Sequence, residues 1–187
     1  RRIRLCIYGG EPTLHPELTS ICKKLGSRVE QFGIQTNLTI PTDQLTQLIE
    51  AVPNLYFIPT YHTERVKDPK LFWRNMLTIR KNKRLWHCAF LLPMKTFDED
   101  FKLFKKFYSV FRDKMYPQPL TFEEPEWFAK PEIQPYLLSQ SSGIKRTYAD
   151  GSVDHVSLMG WRRDHQDQVD GWNCTAGKDL LFIDWDG

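Results

Sequence analysis

One nine-residue stretch concentrates the residue types that binding chemistry needs: Tyr8-Gly9-Gly10-Glu11-Pro12-Thr13-Leu14-His15-Pro16. It follows an apolar run and precedes a helical pattern, the place where α/β folds put ligands. Two successive glycines let the backbone turn without Cβ clashes and approach a ligand closely. Carbonyls exposed there accept hydrogen bonds from an ammonium group. Glu11 adds negative charge at the same spot, and Pro12 fixes the exit. A phosphate fits less well, because Glu11 repels it and the glycines lack the spacing or lysine of dinucleotide and P-loop motifs.

Other candidates stand at the ends of later apolar runs. Gly33-Ile34-Gln35-Thr36-Asn37 ends one of them, and Asn37 is also an ordinary strand-end turn former. Thr60-Tyr61-His62 ends the next, with His62 either a ligand or a structural hydrogen-bonder. Leu91-Leu92-Pro93-Met94 ends a fourth and offers an apolar wall or simple core packing. The four cysteines (Cys6, Cys22, Cys88, Cys174) are far apart and form no Cys-x-x-Cys pair, which argues against a disulfide framework. Cys6, Cys22 and Cys88 lie in apolar strands or on an apolar helix face and read as small buried hydrophobes. Cys174 lies in a polar, glycine-rich setting and reads as a metal ligand or a partly exposed thiol. No general acid or base can be assigned, since a charged surface accounts for Glu123, Glu124 and Asp164. Trp127-Phe128, Trp161 and Trp172 are read as either a peptide groove or scattered core aromatics.

The elements that position these residues alternate. Apolar runs at Ile3–Tyr8, Phe32–Thr36, Leu55–Thr60 and His87–Leu92 read as strands, nearly continuous in apolar character as when both faces are covered. Between them Leu18, Ile21, Cys22, Leu25 and Val29 share a helix face behind Pro16. Leu45, Leu48, Ile49 and Val52 form a second, with Thr42 as the expected N-cap. Asp68-Pro69 opens a third through Phe72, Met76 and Ile79. A fourth carries Phe101, Phe104, Tyr108 and Phe111. Such repeats predict βαβ units and a parallel sheet, either open and doubly wound or an arc of a barrel. After about residue 115 prolines interrupt the rhythm, with Leu120–Glu123 as one more short strand. Ile144–Tyr148 and Val153–Val156 flank Ala149-Asp150-Gly151-Ser152, a hairpin signal.

The chain has 187 residues, 41% hydrophobic and 26% charged, an ordinary globular balance. Its formal charge of +3 is too small to argue for nucleic acid, and Lys81, Lys83 and Arg84 fit a helix C-terminus. There is no run of roughly 18 apolar residues to span a membrane and no signal peptide, so a cytoplasmic location is expected. Both ends read as cut, which makes the chain a fragment.

Gly9-Gly10-Glu11-Pro12 after an apolar strand, continuing Thr13-Leu14-His15-Pro16, resembles the GGEP motif of the radical SAM enzymes. That resemblance implies a partial (βα) barrel of parallel strands with alternating helices over residues 1–125. It implies that the backbone at Gly9, Gly10, Glu11 and Pro12 contacts the amino group of S-adenosylmethionine. Thr36-Asn37 is similar to the family's Thr-Asn-Gly strand end, with Leu38 in place of the glycine. His62 then stands where a polar residue reaches the cofactor's carboxylate or ribose, and Leu91–Met94 where adenine packs.

Residues 126–187 would hold the rest of the barrel and the start of a hairpin-containing extension. Cys174-Thr175-Ala176-Gly177, followed by an apolar run and Asp186-Gly187, resembles the opening of a SPASM or twitch extension. Cys174 would there bind an auxiliary iron–sulfur cluster. The family's Cys-x3-Cys-x2-Cys loop, which holds the [4Fe–4S] cluster that cleaves S-adenosylmethionine, is absent from this chain. In the intact protein the resemblance implies a 5′-deoxyadenosyl radical, a peptide or protein substrate, and a reductant such as flavodoxin or ferredoxin. The alternative is a degenerate, cluster-free barrel acting as a binding or scaffold module.

Overall fold

The computed structural model describes residues 4–120, 125–138, 144–147 and 150–156. The chain divides into two compact units, 1–141 and 142–187. The first unit contains β1 (Arg4–Ile7), α1 (Leu18–Gly26), β2 (Gln31–Thr36), α2 (Thr42–Ala51) and β3 (Leu55–Tyr61). It continues with α3 (Pro69–Lys81), β4 (Cys88–Leu91), α4 (Phe97–Phe111), β5 (Met115–Gln118) and two short helices, α5 (Pro125–Phe128) and α6 (Gln134–Leu138).

The five strands form one parallel sheet in the order β1-β2-β3-β4-β5. A doubly wound sheet reverses its order at a switch point; this one is wound in a single direction. Right-handed crossovers then put the helices on one face. Burial agrees: Phe32, Ile34 and Thr36 of β2 and Leu55, Phe57 and Tyr61 of β3 are buried, while Gln35, Tyr56, Ile58 and Thr60 are exposed or half-buried. β3 alternates strictly and β2 in part, whereas all four residues of β4 are buried, as its continuous apolar character suggests. β1 and β5 are the sheet's two ends, so the sheet is open among the described residues.

Aromatic rings fill the layer between sheet and helices. Tyr61 stacks on Phe90 at 4.4 Å between centroids and meets Phe72 edge-on at 4.9 Å. Phe104 and Phe107 of α4 close on Phe90 at 5.5 and 5.8 Å. Burial, helped by Asp100, pushes the Tyr61 hydroxyl up to about 12.

Three expectations change. Thr42 is not an N-cap: α2 begins at Thr42 without a side-chain cap, and the Thr42 hydroxyl instead donates to Asn75 Oδ1 at 2.7 Å. β5 at Met115–Gln118 goes unnoticed in the sequence, because Pro117 and Pro119 read as breakers. Pro117 is tolerated on an edge strand, where a missing N–H disrupts no second ladder. Cys6 is exposed rather than buried, since β1 is the other edge.

Asp68 does cap α3, accepting from the N–H groups of Lys70 and Leu71 at 2.9 and 3.0 Å. In the second unit β6 (Ile144–Thr147) and β7 (Val153–Val156) pair antiparallel, with Gly151 at φ 82° in the connection. Among the described residues no helix is long and apolar enough to cross a membrane.

Candidate functional site

The stretch that opens the sequence argument forms the turn after β1. Gly9 and Gly10 hold φ values of 93° and 56°, in the left-handed region that side-chain-bearing residues avoid. Both are exposed, and a Cβ built on either would meet nothing within 4 Å. The glycines are needed for their backbone conformation, and the space over them is open. Among the described residues no backbone hydrogen bond of the loops engages either one. Pro12 then starts a 3-10 turn, Pro12–Leu14.

Glu11 is the anchor of this turn. Its Oε1 accepts from Thr13 N at 3.1 Å, Thr13 Oγ1 at 2.5 Å and Thr36 Oγ1 at 2.6 Å. Its Oε2 accepts from Asn37 N at 2.7 Å. Charge-assisted bonds of this kind are about twice as strong as neutral ones. One half-buried carboxylate thus ties the turn after β1 to the end of β2. Its side chain serves the scaffold, and the peptide groups of Gly9 and Gly10 remain available.

The end of β2 is organised with equal care. Thr36 is buried; its hydroxyl donates to Glu11 and accepts from Leu38 N at 3.0 Å. Asn37 folds back as a turn former, its Oδ1 accepting from Thr39 N at 3.1 Å and Thr39 Oγ1 at 2.7 Å. Leu38 takes φ 53°, the conformation a glycine would adopt freely, and its side chain is fully buried. Asn75 of α3 holds this loop from beneath. Its Nδ2 donates to the carbonyls of Leu38 at 3.0 Å and Ile40 at 2.7 Å.

His62 follows β3 at the same end of the sheet. Its carbonyl accepts from Arg65 N and Val66 N at 2.9 and 2.8 Å, which fixes the loop. Its Nδ1 is buried without a hydrogen-bond partner. Burial lowers the ring's pKa below the ordinary histidine value, against a smaller opposing pull from Glu64, so the neutral imidazole is favoured. Thr63 next to it donates to Asp100 Oδ1 at 2.9 Å, and Thr96 donates to Asp100 Oδ2 at 2.6 Å. A buried carboxylate on α4 therefore braces the loop that carries His62.

Glu11, Thr13, Thr36 and Asn37 are thus joined in one hydrogen-bonded cluster, and Gly9, Gly10 and Pro12 adjoin it in sequence. His62 lies one strand further along, and no hydrogen bond links it to that cluster among the described residues. Leu91 and Leu92 are buried and Met94 is half-buried. Cys174, Trp161, Trp172, Glu123, Glu124 and Asp164 lie outside the described residues. Trp127 and Phe128 are buried, so they belong to the core and not to a peptide groove. Among the described residues no three His, Cys, Asp or Glu side chains gather to hold a metal. Cys22 and Cys88 are buried thiols whose pKa values burial raises, that of Cys22 to about 11.

Sequence reasoning missed Asn75 and Asp100. Both carried a signal: each is a polar residue on an apolar helix face, Asn75 beside Phe72, Met76 and Ile79, Asp100 beside Phe97 and Phe101. A buried polar side chain must find partners, and both of these bind loops at the top of the sheet.

No family of known proteins matches the chain, and no curated protein matches it.

Proposed function

We propose that this chain is the S-adenosylmethionine-binding part of a radical SAM enzyme, an incomplete (βα) barrel whose substrate is a peptide or protein. The observation that carries the reading is the turn after β1. Two glycines at positive φ stand in open space, braced from behind by Glu11. Single-direction winding of the sheet supports an arc of a barrel over a doubly wound sheet.

S-adenosylmethionine fits the residues present. The space beside Gly9 and Gly10 is open, and backbone carbonyls suit the ligand's ammonium group. Glu11 positions these peptides by holding both loops. His62 stands at the same end of the sheet, and its buried Nδ1 has no hydrogen-bond partner, so the ring is the candidate contact to the ligand's carboxylate or ribose from β3. A [4Fe–4S] cluster would need a set of cysteine ligands; none gathers among the described residues, and in this reading the cluster and a flavodoxin- or ferredoxin-like reductant would engage other parts of the protein. The cluster and cofactor together would supply the radical chemistry, and the protein's part would be to bind and orient. Cys174 remains the candidate ligand of an auxiliary cluster.

Saturation-transfer NMR of S-adenosylmethionine with this chain tests the binding half. Transfer to the ligand is expected for the native chain and is expected to be lost in Gly10→Val, whose thermal melt reports that it still folds. Equal transfer in both proteins contradicts the reading.

A further inference from the structure

The helix layer carries a feature that cofactor binding does not use. α3 packs against α2, while between α3 and α4 lies an open groove of about 560 Å3, within the size range of ligand sites. Trp73, Leu77 and Leu103 form its floor, and Lys70, Arg74 and Lys106 its rim.

The floor is preformed. Trp73 sits edge-on to Phe107 at 4.7 Å and to Phe111 at 5.4 Å, so binding there orders little that is not already ordered. Leu77 is 41% exposed in mid-helix, although the same helix buries Phe72, Met76 and Ile79 completely or nearly so. An apolar floor of this kind gains from being covered.

Charge selects the cover. Among the described residues no carboxylate lines the groove, and α3 contains no acidic residue in its 13 positions. Arg80 is already engaged: it donates to the Val110 carbonyl at 2.6 Å and lies over the Phe111 ring. Lys70, Arg74 and Lys106 are left exposed around the floor. A basic partner is repelled, and an anionic one is steered in.

Shape selects further. The apolar surface is a shallow furrow that follows two neighbouring helices. A row of side chains at i, i+3, i+4 and i+7 on a partner helix fits such a furrow.

We propose that the α3–α4 groove is a docking site for an acidic amphipathic helix of a protein partner. It is independent of the cofactor site, so either assignment can fail without the other.

The test titrates the full 187-residue chain with a labelled synthetic helix of about 16 residues, Leu and Phe along one face and Glu elsewhere. A counterpart carries Lys for each Glu, and phosphatidylserine vesicles serve as a third probe. Fluorescence anisotropy is expected to show binding of the acidic helix, weakening as salt rises, and none of the basic one. Arg74→Glu and Leu77→Asp are each expected to weaken binding about tenfold or more. Both side chains are exposed, and unchanged thermal melts confirm that the variants fold. The proposal is overturned if the acidic helix does not bind, if both helices bind alike, or if neither substitution matters. Binding of the vesicles in place of the helix also overturns it and makes the groove a membrane contact.

Discussion

After β1 the chain turns through Gly9 and Gly10, and after β2 it turns through Leu38; all three residues sit at positive φ. The first turn is exposed among the described residues and uses residues that adopt this conformation without strain. The second uses a leucine, for which the left-handed conformation costs about 1–2 kcal/mol. Burial of the Leu38 side chain offsets that cost, and Asn75, Thr36 and Asn37 lock the backbone around it. In the exposed turn, glycine leaves the backbone bare. Where a turn is part of the core, a strained residue is retained for the side chain it buries.

Breaking the buried turn has the largest expected effect. Asn75→Ala removes donors to Leu38 and Ile40 and the acceptor of Thr42. Buried groups left unpaired cost about 1–3 kcal/mol each, so urea unfolding is expected to register a loss of about 3 kcal/mol.

Next comes Leu38→Gly. Glycine relieves the strain, but a buried leucine's contacts exceed it, and a net loss of about 2 kcal/mol is expected. A gain in stability would mean that the side chain contributes less than the strain.

Glu11→Gln keeps the size of the side chain but places an amide N–H₂ group among four donors. A loss of about 1.5 kcal/mol is expected, together with faster amide exchange at Asn37.

Gly10→Ala sharpens the contrast from the other side. No atom obstructs the new Cβ, so only conformational strain remains, about 1 kcal/mol. The order Leu38→Gly above Gly10→Ala is the specific expectation, the reverse of what positive φ alone suggests.

The smallest effect concerns pH. Burial, with Lys114 adding to it, lowers the His87 pKa below its ordinary value. A histidine whose folded pKa is depressed lets the unfolded chain bind its proton first. Its contribution is intact above about pH 6.5 and is lost as pH falls through the folded value. Denaturation below pH 6 is expected to be less pH-dependent in His87→Gln than in the native chain.

The strand–helix alternation and the capping of α3 by Asp68 were legible because each rests on neighbours in sequence. So was the turn at Gly9-Gly10, since paired glycines after an apolar strand have few other uses. The internal use of Glu11 was not legible: its partners Thr36 and Asn37 lie 25 and 26 residues away, and only the pairing of β1 with β2 brings them near. Asn75 was obscured by its apolar neighbours, and β5 by Pro117. In each case a tertiary contact overrode a local signal.

The central claim is that the turn after β1 serves radical S-adenosylmethionine chemistry. Its most direct test is anaerobic iron–sulfur reconstitution of the intact protein, then reduction with dithionite in the presence of S-adenosylmethionine and a mass-spectrometric search for 5′-deoxyadenosine. The account predicts its formation, and its loss when Gly9 and Gly10 are replaced by valine. Protein that holds no cluster and yields no 5′-deoxyadenosine would contradict the account and leave a cluster-free binding module in its place.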